Sequence, residues 1–367
     1  MKIVDDNQKA CLGFSLSSGV GPMTFARLVT QFNSPSSAFF APAAVLQSFF
    51  RQKKYFDMFV SFRSHYDPEK ELKKLAEKDV WAMTQYHKDY PEQLKNISDP
   101  PITLFGKGDR NIINFSRDVC IGIVGTRRPT SYGIHVAEEL GKACAAGGMV
   151  IVSGMATGID TLSHKAAIFE EGRTIAVQGT GIDMIYPPEN KELHEQILKH
   201  YGIIISEYPP GFGIGRGLFV LRNRIIVGLS KAVIIVEGGE HSGSLITARY
   251  AAENGRDVYA VPGQITSEMS IGPHILLREG AHILTSPKEL LQEFGIQSER
   301  FISTQKPTDL IGNEKNIYDL LSVKKYYADE IGKQTALPVS DILPILSLLE
   351  VRGIIEKCID GRFTVLV

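Results

Sequence analysis

The 367 residues carry 43% apolar and 22% charged side chains and a net charge of −1 at pH 7, the balance of a globular protein long enough for two or three domains. No apolar run approaches a bilayer span, and the start MKIVDDNQ lacks the basic flank and apolar core of an export signal, so a cytoplasmic protein without membrane association is expected. A near-neutral chain binds no nucleic acid by overall charge, so such a role would need local clusters of cations; Cys11, Cys120, Cys144 and Cys358 form no CxxC pair, which argues against a zinc site or a disulfide framework.

Residues 1–70 read as a helical domain. In Ser17 to Phe32, Gly19 and Gly21 supply a tight turn, Pro22 suits a first helical turn, and Phe25, Leu28, Val29 and Phe32 then share one face. A glycine hairpin opening a helix resembles the helix-hairpin-helix of DNA-handling proteins, although Arg27 is the one nearby cation and a purely structural bundle fits as well. Residues 71–117 are mixed and polar, extended between Tyr90-Pro91 and Pro100-Pro101, and are expected to connect the first domain to the main one.

From 118 to 296 short apolar runs alternate with helical stretches. Cys120 to Val124, Met149 to Ser153, Thr174 to Gln178, Ile203 to Ser206, Ala232 to Val236, Asp257 to Val261 and His282 to Leu284 read as strands. Alternation of this kind requires right-handed crossovers and predicts a doubly wound α/β domain with a parallel sheet. Residues 297–310 read as a linker. The tail, 311–367, reads as three helices and a hairpin turning at Asp360-Gly361, a winged-helix pattern whose third helix offers Arg352 against Asp341 and Glu350 and contains Pro344. Such a helix is poorly equipped for phosphates, and a protein-contacting or dimerising role is expected of it.

Ligands of doubly wound sheets lie at the carboxyl ends of the strands, and the unusual stretches fall there. GTRRPTSYG follows the first strand and leads into a helix, an arrangement that points free N–H groups and a positive dipole end at an anion; Arg127 and Arg128 add guanidinium forks suited to phosphate. Ser153-Gly154 follows the second strand, Gly179-Thr180-Gly181 the third, and YPPGFGIGRG the fourth. EGGEHSGS follows Val236 and leads into the helix carrying Thr247. Between Gly211 and Lys231 lie Arg216, Arg222, Arg224 and Lys231 with no acidic residue, and Phe219 sits among them. Cations interleaved with an aromatic suit a single strand, charge meeting phosphate and a ring meeting an unstacked base. The competing reading buries Phe219 in the core and pairs Arg222 and Arg224 with carboxylates.

Enzymatic alternatives find less support. The second strand ends in Ser153-Gly154 rather than the acidic residue that holds a dinucleotide's ribose, and no GxxxxGK loop is present, so no nucleotide cofactor is expected. Ser153, Asp160 and His164 are close in sequence without the GxSxG turn of a serine hydrolase.

GTRRPTSYG, SGMATGIDTLSHKAA, GTGIDMIYPPEN, RNRIIVGLS, EGGEHSGSLITA and YAVPG, in this order, closely resemble the DNA-processing protein A (DprA, also called Smf) family of bacteria. The resemblance implies a Rossmann-like core flanked by a sterile-alpha-motif-like (SAM-like) helical domain and a winged helix. It further implies a homodimer that binds single-stranded DNA during natural transformation, protects the incoming strand, and loads the RecA recombinase onto DNA coated by single-strand-binding protein, with no cofactor and no chemical step. Residue by residue it places DNA contacts on Gly125, Thr126, Arg127, Ser153, Gly154, Arg216, Phe219, Arg222, Asn223, Arg224, Ser242, Gly243, Ser244 and Thr247. Two stretches depart from the family pattern: Val220-Leu221 stands between Phe219 and Arg222, and Gly272-Pro273-His274 replaces a glycine, any residue, asparagine motif. A rival class, the phosphoribohydrolases with a PGGxGTxxE loop, would put a catalytic glutamate where this chain has Thr247.

Overall fold

Apolar runs bounded by glycine become the strands of one large sheet. The computed structural model describes residues 5–215, 217–296, 310–352, 354–358 and 361–365; Arg216, the 297–309 stretch and Asp360 lie outside them. The chain forms two compact units, Met1–Ser298 and Glu299–Val367.

The first unit opens with helices α1 (Asp6–Leu16), α2 (Pro22–Phe32), α3 (Pro35–Phe39), α4 (Ala43–Leu46), α5 (Lys53–Ser64) and α6 (Pro68–Ala76). Asp5 caps α1 by accepting from the Gln8 N–H. Phe14, Phe25, Phe39 and Phe59 form the heart of this bundle, edge to face or stacked within 5.1 to 5.7 Å, a geometry that adds to the gain from burial alone. Arg27, the cation beside the glycine hairpin, lies over the Phe49 ring at 5.4 Å.

The sheet follows: β1 (Trp81–Thr84), helix α7 (Glu92–Lys95), β2 (Thr103–Lys107), β3 (Cys120–Val124), α8 (Ser131–Ala146), β4 (Val150–Ser153), α9 (Ile159–Phe169), β5 (Thr174–Gly181) and α10 (Lys191–Lys199). It continues with β6 (Gly202–Tyr208), α11 (Leu218–Leu229), β7 (Ala232–Ile235), α12 (Gly243–Glu253), β8 (Asp257–Ala260), α13 (Ile271–Arg278), β9 (His282–Ile283) and α14 (Pro287–Glu293). Among the described residues the nine strands order as β1-β2-β6-β5-β4-β3-β7-β8-β9. From β6 to β9 every neighbouring pair is parallel. The 71–117 segment, expected as a connector, is corrected here: it supplies β1 and β2, which extend the sheet antiparallel beyond β6. Both strands are short, and it is pairing that makes them strands.

Central strands are buried along their whole length, all five residues of β3 and all eight of β5 included, as helices on both faces demand. Each Ile or Val so buried contributes about 1.5–3 kcal/mol. The chain winds outward from β3 through β4, β5 and β6, then returns to place β7 on the other side of β3. The gap between the carboxyl ends of β3 and β7 is therefore the switch point, where such sheets take ligands.

In the second unit α15 (Gly312–Leu321), α16 (Ala328–Thr335) and α17 (Val339–Val351) precede the antiparallel pair β10 (Ile355–Lys357) and β11 (Phe363–Val365). Ile317, Leu321, Ile331, Ile342, Leu346, Leu349 and Ile355 form its core, and Pro344 lies inside α17. Among the described residues no helix is long and apolar enough to cross a membrane.

Candidate functional site

A cleft of about 280 Å³ opens at the switch point. Gly125, Thr126 and Arg127 from the end of β3, Phe219, Arg222 and Asn223 from α11, and Ser242, Gly243, Ser244 and Thr247 from the start of α12 line it together. Ten of the fourteen expected contact residues are thus gathered from three separate stretches. Ser153, Gly154 and Arg224 are not part of the lining, and Arg216 lies outside the described residues.

The loop after β3 is strapped to the end of β7. The Thr126 N–H donates to the Glu237 carbonyl at 2.7 Å. The buried Glu237 carboxylate accepts from the Thr130 N–H at 2.9 Å and from its hydroxyl at 2.5 Å. Thr130 in turn caps α8 by accepting from Gly133 N–H. A Cβ at Gly133 would collide with the Glu237 carboxylate. The anion at the start of α8 is therefore the protein's own, which corrects the expectation that this helix end takes a phosphate. Arg127 and Arg128 remain exposed on the rim.

The start of α12 borders the cleft, with Gly243 exposed and Ser244 and Thr247 buried behind it. Ser242 is its N-cap, accepting from the Ser244 N–H at 3.3 Å, and the two hydroxyls are 2.8 Å apart. Thr247 bonds only weakly back to the Gly243 carbonyl, at 3.4 Å. Three hydroxyls at a helix start thus line one wall, groups suited to anionic oxygens.

The arginines divide. Arg222 is buried, and its guanidinium donates to the carbonyls of Gly154 and Val177 while its Nε reaches Asn223 at 3.2 Å. Beside it, Asp160 accepts from the amides of Gly154 at 3.1 Å and Ala156 at 3.3 Å. Burial pulls the Arg222 pKa down to about 10, with Asp160 opposing, so it stays charged at neutral pH. Burial raises the Asp160 carboxyl against the pull of Arg222 and the two amides. A Cβ on Gly154 would meet the Arg222 guanidinium. Ser153, fully buried, donates to the Ile123 carbonyl at 2.7 Å and ties β4 to β3. Arg222 and Asp160 form the floor of the cleft, and Ser153 and Gly154 support it from beneath.

Arg224 points elsewhere. Its Nε meets Asp99 at 2.9 Å and its Nη2 meets both oxygens of Glu207 at 2.7 and 2.8 Å. Burial opposes the charge, but Glu207 and Asp99 outweigh it and hold its pKa above the ordinary value. With two carboxylates already engaged, Arg224 has no charge to offer a phosphate, and the expectation of a DNA contact there is corrected to an anchor of α11. The acid-free count between Gly211 and Lys231 could not show this, because both partners come from outside that stretch.

Phe219 is half-buried with its ring 5.0 Å from that of Tyr186, tilted by 31°. Tyr186, Asp160 and Glu237 were missed as site residues; the signals available were their positions after strands. Ser153, Asp160 and His164 form no triad: His164 is fully buried, with Nδ1 on the Thr174 hydroxyl at 2.7 Å, and burial, with Arg222 adding to it, pushes its pKa down to about 3.

The family model described as DNA recombination-mediator protein A matches residues 81–295. Protein Smf of a Synechocystis strain is 33% identical over 390 residues, covering 97% of this chain and 98% of that protein. The DNA processing protein DprA of Bacillus subtilis is 48% identical over 206 residues, 56% of this chain and 68% of its own. The crystal structure of DprA from Streptococcus pneumoniae superimposes with a TM-score of 0.67 at 33% identity, covering 80% of this chain and 99% of that one. A structure of Helicobacter pylori DNA processing protein A, which concerns its mode of binding single-stranded DNA, gives a TM-score of 0.53 at 30% identity over 59% of this chain and 95% of that one. A match over more than half the chain, with a relative aligned end to end, makes this protein a member of the DNA-processing protein A (DprA/Smf) family.

Proposed function

We propose that the switch-point cleft binds single-stranded DNA and that the protein guards an incoming strand during natural transformation and loads RecA onto DNA coated by single-strand-binding protein. The observation that carries the reading is the convergence on one cleft of exposed Arg127, the hydroxyls at the start of α12 and the Phe219 ring. Charge, hydrogen-bond donors and a π face are what a single strand requires. Family membership and the H. pylori relative's single-strand mode support it.

In this reading Gly125, Thr126, Arg127, Ser242, Gly243, Ser244 and Thr247 meet the sugar-phosphate chain and Phe219 stacks on a base. Ser153, Gly154, Arg222 and Asn223 shape the floor, and Arg224 fixes α11. Arg216 adds charge on the strength of the sequence alone. Residues 1–70 form a SAM-like helical domain, and residues 311–367 form a winged helix that meets proteins, since α17 carries Asp341, Glu350 and Pro344. A cytoplasmic homodimer that uses no cofactor and performs no chemical step completes the proposal.

Titration of a labelled oligonucleotide, single versus double stranded, at several salt concentrations tests it. Preferential single-strand affinity that weakens with salt is the expected result. Equal binding of duplex, or free base released from nucleoside monophosphates, would overturn it. The second outcome would restore the phosphoribohydrolase reading, which Thr247 in place of a carboxylate disfavours.

A further inference from the structure

We propose that the stacked Tyr208–Phe212 pair is a second base platform, one that extends the single-strand track beyond Phe219; the inference rests on the cleft being a single-strand site. Tyr208 ends β6, and the loop that follows carries Phe212 back over its ring, the two centroids 4.4 Å apart and the planes within 15°. Phe212 is 41% exposed although Tyr208 covers one face. The loop is also held by its backbone. Gly181 N–H donates to the Phe212 carbonyl at 3.0 Å and Ile182 N–H to the Tyr208 carbonyl at 3.2 Å, while Gly211 N–H reaches Asp183 at 2.7 Å.

Position gives the ring an occupant. Across the sheet the cleft lies at β7 and β3, Phe219 packs over Gly179 of β5, and the Phe212 backbone packs over Gly181 of the same strand. The points where Phe219 and the Phe212 backbone rest on β5 are thus two strand residues apart, roughly 6 to 7 Å, and Tyr208 stands on β6, one strand farther from the switch point. Rings set at successive positions on one sheet edge suit consecutive unstacked bases. No acidic residue stands between Tyr208 and Glu237, and the nearby Asp183 is paired with Lys78 at 3.1 Å. A polyanion leaving the cleft therefore meets no unpaired carboxylate from this loop.

The test uses the full chain and thymidine oligonucleotides from a trimer upward. Phe212→Ala should leave the shortest oligonucleotide unaffected, weaken the longest about tenfold, and keep the salt slope, since stacking releases no counterions. Phe212→Trp should restore long-oligonucleotide affinity, and its added emission, read against the unmodified protein with its single Trp81, should be quenched as long DNA binds. Unchanged affinity at every length, an equal loss at every length, or an unquenched indole with DNA bound would each overturn the second platform while leaving the cleft intact. Failure of the unmodified protein to bind any single strand would instead remove the cleft reading beneath it.

Discussion

The floor of the cleft makes a quantitative prediction about a buried charge. Arg222 and Asp160 are buried side by side at the base of the cleft, and Gly154 bonds to both, its carbonyl accepting from Arg222 and its amide donating to Asp160. Removing one member of a buried pair strands the other and costs about 3–5 kcal/mol, a large part of the ~5–15 kcal/mol that stabilises a typical domain. Arg222→Met and Asp160→Asn should therefore each lower stability by about that amount. The double substitution should cost at least ~2 kcal/mol less than the sum of the singles, because it strands no charge. Urea denaturation of the full chain followed by Trp81 emission reports the unit that contains both residues. Additivity within ~0.5 kcal/mol would refute the coupling. DNA titrations of the same variants separate floor from contact: at conditions where Arg222→Met is folded, its salt slope should equal that of the unmodified protein, and a reduced slope would show Arg222 meeting phosphate directly.

Arg127→Ala, at an exposed rim position, should leave stability within ~0.5 kcal/mol and lower the salt slope of single-strand binding by about 0.7; an unchanged slope would remove Arg127 from the track. Phe219→Ala should weaken binding by roughly 1–3 kcal/mol without altering that slope, and a loss that grows as salt is lowered would show that the ring is not stacking. Acid should act through His164 and His194, which burial holds down at about 3 and about 4. Both stay neutral in the fold but take up a proton in the unfolded chain below its ordinary value of 6.5. Stability is complete above that pH and falls as pH drops toward 4 and 3, by roughly 2 kcal/mol per histidine at pH 5. The raised Asp160 and Glu207 act in the opposite sense, so the informative quantity is the difference between the unmodified protein and His164→Asn. The variant should show a shallower dependence of denaturation midpoint on pH between 5 and 6.5, and parallel curves would refute the assignment.

Much of the core is legible in the chain. Cys120 to Val124 or Ala232 to Val236 is an uninterrupted apolar run closed by glycine or an acid, and a strand covered on both faces leaves no other reading. The glycines and hydroxyls after those strands are legible too, since the carboxyl edge of such a sheet is where they matter. β1 and β2 are not. Trp81–Thr84 and Thr103–Lys107 are short and flanked by polar residues and prolines, and whether such a segment is a strand depends on the partner it finds, here β6.

What the sequence by itself determined is the parallel core of the sheet and the edge where the cleft opens, because hydrophobic periodicity and glycine placement are local properties of the chain. What only the tertiary structure decided is the task of each charge. Arg222 and Arg224 are two residues apart on one helix, yet the first meets peptide carbonyls beside Asp160 and the second meets Asp99 and Glu207. Glu237, 107 residues from Thr130, closes the helix end that Arg127 and Arg128 had marked as an anion site. A charge acts through its nearest neighbours and the water it has lost, and both are properties of the fold.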